Sequence, residues 1–473
     1  MTQLRLVCIW VNLQTGNQLF MTSTRQNNNL TTGPVFSTLM KFVVPFFISS
    51  FLQTFYGMAD LMILGLYNGA ASTTAVSTGS QITHMLTVII IGAAMGSTVL
   101  IGREAGAGND KGTVKTIGNT VTFFLLLSVA LTAVMLLLSS PIISLMQVPD
   151  EAVSECRRYL IICFAGIPFI TIYNIISSIF RGLGDSRTPT IFVAIACGAN
   201  IVLDFVFMGV FGMGAAGAAL GTVLAQALSC VIAVAAIIRM KEGSMKTAFG
   251  LRADDLRPDS GTVRKILEVG IPVALQDGLI QVSFLVITMI ANSRGVTFAA
   301  AVGVVEKIIS FMFLVPSAML SALSAMTAQN IGAGREERAR NALFDGMGVA
   351  VAFGVIACAL CHLFAPWMIG LFTGDAAVIN AGKFYLYSYS FDIIIAAVHF
   401  CFSGYFCGCG RSGISFIHNL LSILLIRIPG AWIASIKWPD TLYPMGFAAP
   451  LGSALSALIC VCVYCHMRKQ LNS

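Results

Sequence analysis

Long apolar stretches without charge recur along this chain, and they constrain its fold more than any other feature. Residues 118–140 read GNTVTFFLLLSVALTAVMLLLSS, and residues 215–238 form a second uncharged stretch. The hydrocarbon core of a bilayer requires about 20 apolar residues per helix. Soluble domains carry about 25% charged residues, whereas this chain carries 10%. We therefore predict an all-α integral membrane protein.

Apolar runs between polar breaks predict twelve transmembrane helices. Their predicted bounds are 38–65, 75–102, 118–140, 158–180, 188–209, 214–238, 265–292, 298–326, 341–365, 384–406, 413–435 and 448–466. Most of the 28 basic residues fall in the two tails and in the loops after even-numbered helices. Because basic loops stay on the cytoplasmic side, we expect both termini and the long central loop to be cytoplasmic.

The second half of the chain repeats the first, with a constant shift between matching segments. The run AGAG at 105–108 matches IGAG at 331–334, and FRGLG at 180–184 matches FCGCG at 406–410. Six helices per repeat is an even number, so both halves insert in the same direction and are related by a pseudo-twofold axis along the membrane normal. The predicted division is a cytoplasmic segment 1–37, a first bundle 38–238, a linker 239–264, a second bundle 265–466 and a tail 467–473.

Ionisable groups within apolar helices are costly, so each requires a reason. In the first half, Asp60 shares a helix face with Gln53 and Tyr56. Asp204 lies one turn after Asn200. Together with Asn174 and Thr222, these carboxyl, amide and hydroxyl groups are predicted to line an internal site for a hard cation or a proton. The alternative is that they pair with one another and only hold the bundle together.

The second half carries a different polar set. Under the shift of the repeat, Asn200 and Asp204 align with Ile426 and Gly430, so this pair does not recur. Acids are found instead at Glu306 and Asp392, for which a transport role and a structural role are both open. Arg427 lies near the predicted outer end of its helix, and we expect it to reach the membrane interface as a structural residue.

Several segments taken together resemble the multidrug and toxic compound extrusion (MATE) family. They are KFVVPFFISSFLQTFYGMADLMILG, IGREAGAGND, FRGLGDSRTPT, ANIVLDFVF and MGAAGAALGT. The resemblance covers residues 30–466 and depends on the order and spacing of these segments. It implies a V-shaped pair of six-helix bundles that acts as an antiporter, taking up H⁺ or Na⁺ while a small organic compound, often a cation, leaves.

The resemblance also implies roles for individual residues. The coupling cation of one prokaryotic branch binds in the first bundle, and its pattern matches this sequence at Asp60, Asn174, Asn200, Asp204 and Thr222. Pro45 matches a proline whose kink accompanies bending of the first helix. Another branch uses an acid that Asp392 resembles, together with a glutamate where this chain offers only Gln281. We assign Gln53, Tyr56, Gln281, Glu306 and Asp392 to a possible substrate or second cation site.

These observations also bound what the chain is expected to do. We expect no structural metal, no cofactor besides H⁺ or Na⁺, no nucleic-acid partner and no enzymatic activity, and a monomer in the cell (inner) membrane. The nearest alternative is a lipid-linked oligosaccharide flippase, which would require a strongly basic central cavity; a membrane-embedded enzyme or a receptor is a more distant one. We also predict that translation starts at Met21.

Overall fold

Twelve membrane-spanning helical segments make up the part of the chain that the structure describes. The structure is a computed structural model that describes residues 29–67, 69–146, 148–239 and 244–472, so the predicted start at Met21 lies outside the described residues. The segments are α1 Val35–Tyr67, α2 Ala70–Gly106, α3 Asp110–Leu145, α4 Asp150–Ala165 with Ile167–Gly182, α5 Arg187–Val210, α6 Gly214–Arg239, α7 Ser260–Asn292, α8 Val296–Gly332, α9 Glu336–Gly370, α10 Ala376–Gly408, α11 Ser412–Lys437 and α12 Tyr443–Lys469.

The helices are longer than the apolar runs that predicted them. α3 begins at Asp110, where the Asn109 side chain accepts a hydrogen bond from the backbone N–H of Gly112 at 3.1 Å. Hydropathy placed this start near residue 118, because the first two turns carry polar residues. Such turns extend beyond the hydrocarbon layer, where a helix needs caps rather than apolar side chains.

Several spans are interrupted near polar groups. The two parts of α4 meet at Gly166 with a bend of 46°. α5 changes to a π-helix directly after Asp204, and α11 does so at Ile423–Arg427. π-Helical turns are rare overall, and those that occur are often found at functional sites. The side chains beside these two segments are therefore candidates for functional residues.

The predicted repeat is confirmed by backbone geometry. Gly108 and Gly334 have φ values of 69° and 68°, and Gly184 and Gly410 have values of 88° and 75°. The members of each pair are related by the shift found in the sequence. Glycine adopts this left-handed region without the steric cost that a Cβ would impose. The same turn chemistry therefore ends equivalent helices in both halves.

The packing inside each bundle repeats as well. The hydroxyl of Thr98 donates to the carbonyl of Ser178 at 3.0 Å, and at the equivalent positions of the second half Ser324 donates to Gly404 at 3.2 Å. In each case a hydroxyl joins the second and fourth helices of a bundle. The two halves thus share one scaffold at the level of single hydrogen bonds.

The bundles form a V, and α2 and α8 cross on its pseudo-twofold axis. A Cβ on Gly106 would lie 2.0 Å from the carbonyl oxygen of Gln329, and one on Gly332 would lie 2.0 Å from that of Arg103. The repeat exchanges these two contacts, because it maps Gly106 onto Gly332 and Arg103 onto Gln329. Small residues allow such backbone contact between membrane helices. The crossing is therefore built from main-chain atoms.

An apolar seal lies next to this crossing, on the side away from the linker. It consists of Met95, Val99, Val269, Val273, Ala328 and Cys407, which come from α2 of the first bundle and from α7, α8 and α10 of the second. Farther along the V, the outer halves of α1 and α7 present exposed apolar side chains, among them Phe55 and Met289. The bundles thus meet on the linker side.

The described part of the linker is attached to the first bundle. The carboxylate of Asp259 caps α7 by accepting from the backbone N–H of Thr262 at 2.9 Å, and it pairs with Lys115 of α3 at 3.2 Å. The hydrogen bonds from Thr262 and Lys115 lower the pKa of Asp259 to about 2. Because this pKa lies below the unfolded value, the attachment is present at neutral pH and is lost only as the pH falls towards this pKa.

Candidate functional site

Three helices of the first bundle bring four of the predicted residues together. Thr222 of α6 donates its hydroxyl hydrogen to Asp60 Oδ2 of α1 at 3.3 Å. Asn200 of α5 donates from Nδ2 to Asp204 Oδ2 at 3.4 Å. The carboxyl groups of Asp60 and Asp204 lie within hydrogen-bonding reach of each other. These four side chains therefore form a compact cluster, and its role as a cation or proton site stays a prediction.

The cluster is closed off and rich in unsatisfied oxygen atoms. Asp60 is 7% exposed and Asp204 is fully buried. One carboxylate oxygen of each acid and the side-chain oxygen of Asn200 are buried without a hydrogen-bond partner. Two carboxylates at this separation repel each other unless a proton or a cation lies between them. Converging carboxylate and amide oxygens are also the ligands that hard cations prefer.

A glycine provides the space for one of these carboxylates. A Cβ on Gly221 of α6 would lie 2.1 Å from Asp204 Oδ1. We expect Gly221→Ala to push the Asp204 carboxylate away from Asp60 and to weaken binding of the predicted H⁺ or Na⁺ roughly tenfold, equivalent to about 1.4 kcal/mol. The measurement is the gradient dependence of export in vesicles. Gly198→Ala is the matched control, because a Cβ at Gly198 meets nothing within 4 Å; equal behaviour of the two variants would contradict the expectation.

The remaining first-bundle candidates are Asn174, Tyr56 and Gln53. Asn174 of α4 donates from Nδ2 to the carbonyl of Ile170 at 2.8 Å, so its amide group is partly held by its own helix. Tyr56 Oη accepts from Gln226 Nε2 at 3.4 Å, which links α1 to α6. Gln53 is half-buried, one turn before Tyr56. Tyr56 thus lies beside the cluster of the first bundle, and a role for Tyr56 and Gln53 in a substrate or second cation site stays a prediction.

Pro45 lies in the middle of an unbroken α1. The hydroxyl of Thr190 donates to the carbonyl of Pro45 at 2.7 Å, and Ser186 donates to the carbonyl of Phe42, also at 2.7 Å. Proline interrupts the helical hydrogen-bond ladder, and here α5 supplies hydroxyl donors around the interruption. The helix that carries Asp60 is therefore held at its proline by the helix that carries Asp204. A bending role for Pro45 stays a prediction.

The second-bundle candidates belong to other helices than this cluster, and Glu306 and Asp392 both interact electrostatically with Arg427. Glu306 of α8 accepts from the Thr288 hydroxyl of α7 at 3.2 Å. Asp392 is 1% exposed inside the second bundle, with one carboxylate oxygen unpaired. In this conformation Asp392 does not line the space between the bundles. Gln281 is half-buried on α7. The transport roles of these residues stay predictions.

Arg427 corrects the expectation that it reaches towards the membrane interface. Its guanidinium group points into the second bundle, where it donates to Tyr389 Oη at 2.6 Å and lies 4.7 Å from the ring centre of Phe284. Such partners offset part of the hydration that a cation loses inside the bundle. Helix position alone suggested an outward direction, but the aromatic groups of α7 and α10 provide the inward alternative.

Asp277 is an acid within a span that the sequence reasoning missed. It lies on α7, and its Oδ2 atom is 3.0 Å from where a Cβ on Gly92 of α2 would be. The signal was available, because Asp277 lies inside the predicted helix 265–292.

Comparisons with known proteins agree with this architecture. The MatE family model matches residues 45–206 and again residues 272–433. The chain is 28% identical to the probable multidrug resistance protein YpnP of Bacillus subtilis, over 86% of this chain and 91% of that one. It is 27% identical to the probable multidrug resistance protein NorM of Thermotoga maritima (84% of each chain). It is 22% identical to an FAD transporter of Shewanella oneidensis, over 92% of this chain and 96% of that one.

Solved structures show the same fold. A multidrug resistance MATE transporter in an outward-facing conformation superimposes with a TM-score of 0.85 at 22% identity, over 93% of this chain and 97% of that one. The two matches to the family model begin at positions 45 and 272, which agrees closely with the repeat read from the sequence. With both bundles matched, this chain belongs to the MATE family of multidrug and toxic compound extrusion transporters.

Proposed function

We propose that this protein exports small organic compounds, often cations, in exchange for H⁺ or Na⁺. The observation that carries the proposal is the buried Asp60–Asp204 pair, which requires a shared proton or a bound cation. Relatives named as multidrug resistance and multidrug export proteins support the substrate class. Another relative is named as an FAD transporter, which is a different kind of cargo.

The coupling step takes place at the paired carboxylates. Removal from water disfavours the charged form of a carboxylate, so an approaching proton or Na⁺ neutralises the pair. A loaded site lets α1, α5 and α6 pack more closely than an empty one, which carries repulsion. An ion that binds one conformation ten times more tightly than the other shifts their balance by about 1.4 kcal/mol.

The crossing of α2 and α8 is the pivot of the proposed alternating access. It closes the linker side, which we place at the cytoplasm with both termini, so the cleft opens to the outside of the cell membrane. Separation of the bundles at this crossing would open the cytoplasmic side. The protein then acts as a monomeric transporter and not as an enzyme.

The test is export from reconstituted vesicles with a pH gradient or a Na⁺ gradient imposed separately. We expect one of the two gradients to drive accumulation of a fluorescent cationic dye against the dye's own concentration gradient. Empty vesicles treated in the same way are the control. Dye movement that ignores both gradients would contradict the proposal. The lipid-linked oligosaccharide flippase is disfavoured, because the names of the relatives point to drug export.

A further inference from the structure

We infer that Asp277, at the apex of the V, binds the positive charge of a transported aromatic cation. This inference rests on the proposed function and adds a specificity residue to it. Three features support it: the position of the carboxylate between the bundles, the lack of a cationic partner in the described part of the chain, and the aromatic rings on the opposite flank of the cleft.

Asp277 lies where the two bundles begin to diverge. One turn before it, Val273 belongs to the apolar seal between the bundles. At Ala274 the backbones of α2 and α7 are in close contact, since a Cβ on Gly92 would lie 2.8 Å from the Cα atom of Ala274. One residue after Asp277, a Cβ on Gly278 would meet Ile89 at 3.7 Å, which is ordinary contact. The Asp277 carboxylate thus lies on the seal, at the floor of the cleft.

The carboxylate has no fixed counter-ion in the described part of the chain. The five ion pairs found there all involve other acids. The Asp277 carboxylate interacts with the side chain of the neighbouring Gln276, which is 4% exposed and whose own Oε1 atom is buried without a partner. The Asp277 carboxylate and Gln276 Oε1 therefore have few donors or cations to offset the cost of burying them at membrane depth. Such a pair of acceptors favours a ligand that brings positive charge.

Aromatic rings line the other flank. Phe51 and Phe55 of α1 stack with ring centres 6.3 Å apart and an angle of 15° between the rings, and they are 42% and 48% exposed. Phe51 also contacts Phe311 of α8, across the bundle boundary, at 6.2 Å. Ring faces attract organic cations. This flank therefore suits the apolar body of an aromatic cation.

The two flanks of the cleft differ although the repeat makes their helices equivalent. α1 and α7 are equivalent helices, and the alignment of Pro45 with Pro272 maps Asp277 onto Ser50, the residue beside Phe51. The apex therefore has a carboxylate on one side and aromatic rings on the other. Asp392 is enclosed within its bundle and Asp60 belongs to the coupling site, whereas Asp277 is partly exposed. A substrate in the cleft reaches Asp277 without entering either bundle.

The test compares tetraphenylphosphonium with triphenylphosphine oxide, an uncharged aromatic compound of similar size. Equilibrium binding to purified protein is measured without any gradient. We expect Asp277→Asn to weaken tetraphenylphosphonium binding roughly tenfold and to change triphenylphosphine oxide binding less than twofold. Asp277→Glu should retain most of the affinity. Asp440→Asn, which removes an acid from an exposed loop, should match the unmodified protein.

Two results would overturn the inference: unchanged tetraphenylphosphonium binding in Asp277→Asn, or an equal loss for both compounds. A melting curve and recovery in Asp277→Glu distinguish a lost contact from a misfolded variant. Because binding is measured without a gradient, it is independent of coupling. Unmodified protein that binds tetraphenylphosphonium through Asp277 but exports no dye would refute the proposed antiport and leave the binding residue in place.

Discussion

Replacing Asp60 or Asp204 by asparagine is expected to lower the initial rate of gradient-driven export roughly tenfold or more. A tenfold loss corresponds to an increase of about 1.4 kcal/mol in the activation free energy. Asparagine has nearly the same shape and still accepts hydrogen bonds, so the bundle should fold. It carries no negative charge to be neutralised, so ion loading no longer changes the packing of α1 against α5 and α6. The measurement is dye export from vesicles under the gradient that drives the unmodified protein.

The control for this prediction is Asp440→Asn, which removes an acid from an exposed loop. Asp440 lies between two membrane spans, so we expect its loss to leave coupling intact. Proton or Na⁺ flux measured in the same vesicles shows whether ion movement is lost together with export. Full gradient-driven export by both Asp60→Asn and Asp204→Asn would refute the coupling site.

The second large effect is expected at the helix crossing. In Gly332→Val the first side-chain carbon would lie 2.0 Å from the carbonyl oxygen of Arg103, well inside ordinary contact. Because the clash is with a backbone atom, a change of side-chain rotamer cannot relieve it. The bundles must therefore separate on the linker side. We expect export to cease while each bundle keeps its helices. Gly106→Val should behave alike, since Gly106 makes the symmetry-related contact with Gln329.

Disulfide formation measures this separation directly. A Cβ on Gly102 would lie 3.2 Å from that of Ala328, close to the spacing of a disulfide. In a background without other cysteines, the pair Gly102→Cys and Ala328→Cys should cross-link readily, and addition of Gly332→Val should prevent it. Gly348→Val is the matched control, because its Cβ meets nothing within 4 Å. Undiminished cross-linking with Gly332→Val would contradict the prediction.

Sequence reasoning identified the parts of the protein that depend on local chemistry. The high cost of a buried acid singled out Asp60 and Asp204, and helical spacing placed Asn200 on the same face as Asp204. The repeat followed from glycines whose backbone conformation disfavours other residues. These inferences need only short segments of chain and the properties of the membrane.

The features that sequence reasoning missed depend on how distant helices dock. The environment of Asp277 is created by α2, and nothing in the periodicity of α7 predicts that Gly92 will lie beside it. The inward direction of Arg427 likewise depends on Tyr389 and Phe284, which come from two other helices. Helix ends were underestimated for a simpler reason: hydropathy records the hydrocarbon layer, and helices continue beyond it.

The main-chain crossing of α2 and α8 has an evolutionary consequence. A pivot made of glycines and carbonyl oxygens makes almost no demand on the side chains around it. After duplication of an ancestral half, each copy could acquire or lose acids and aromatic groups without disturbing the hinge that both copies share. Only the few glycines at the axis need to be preserved. New cargo specificities could therefore arise by substitutions in one half alone.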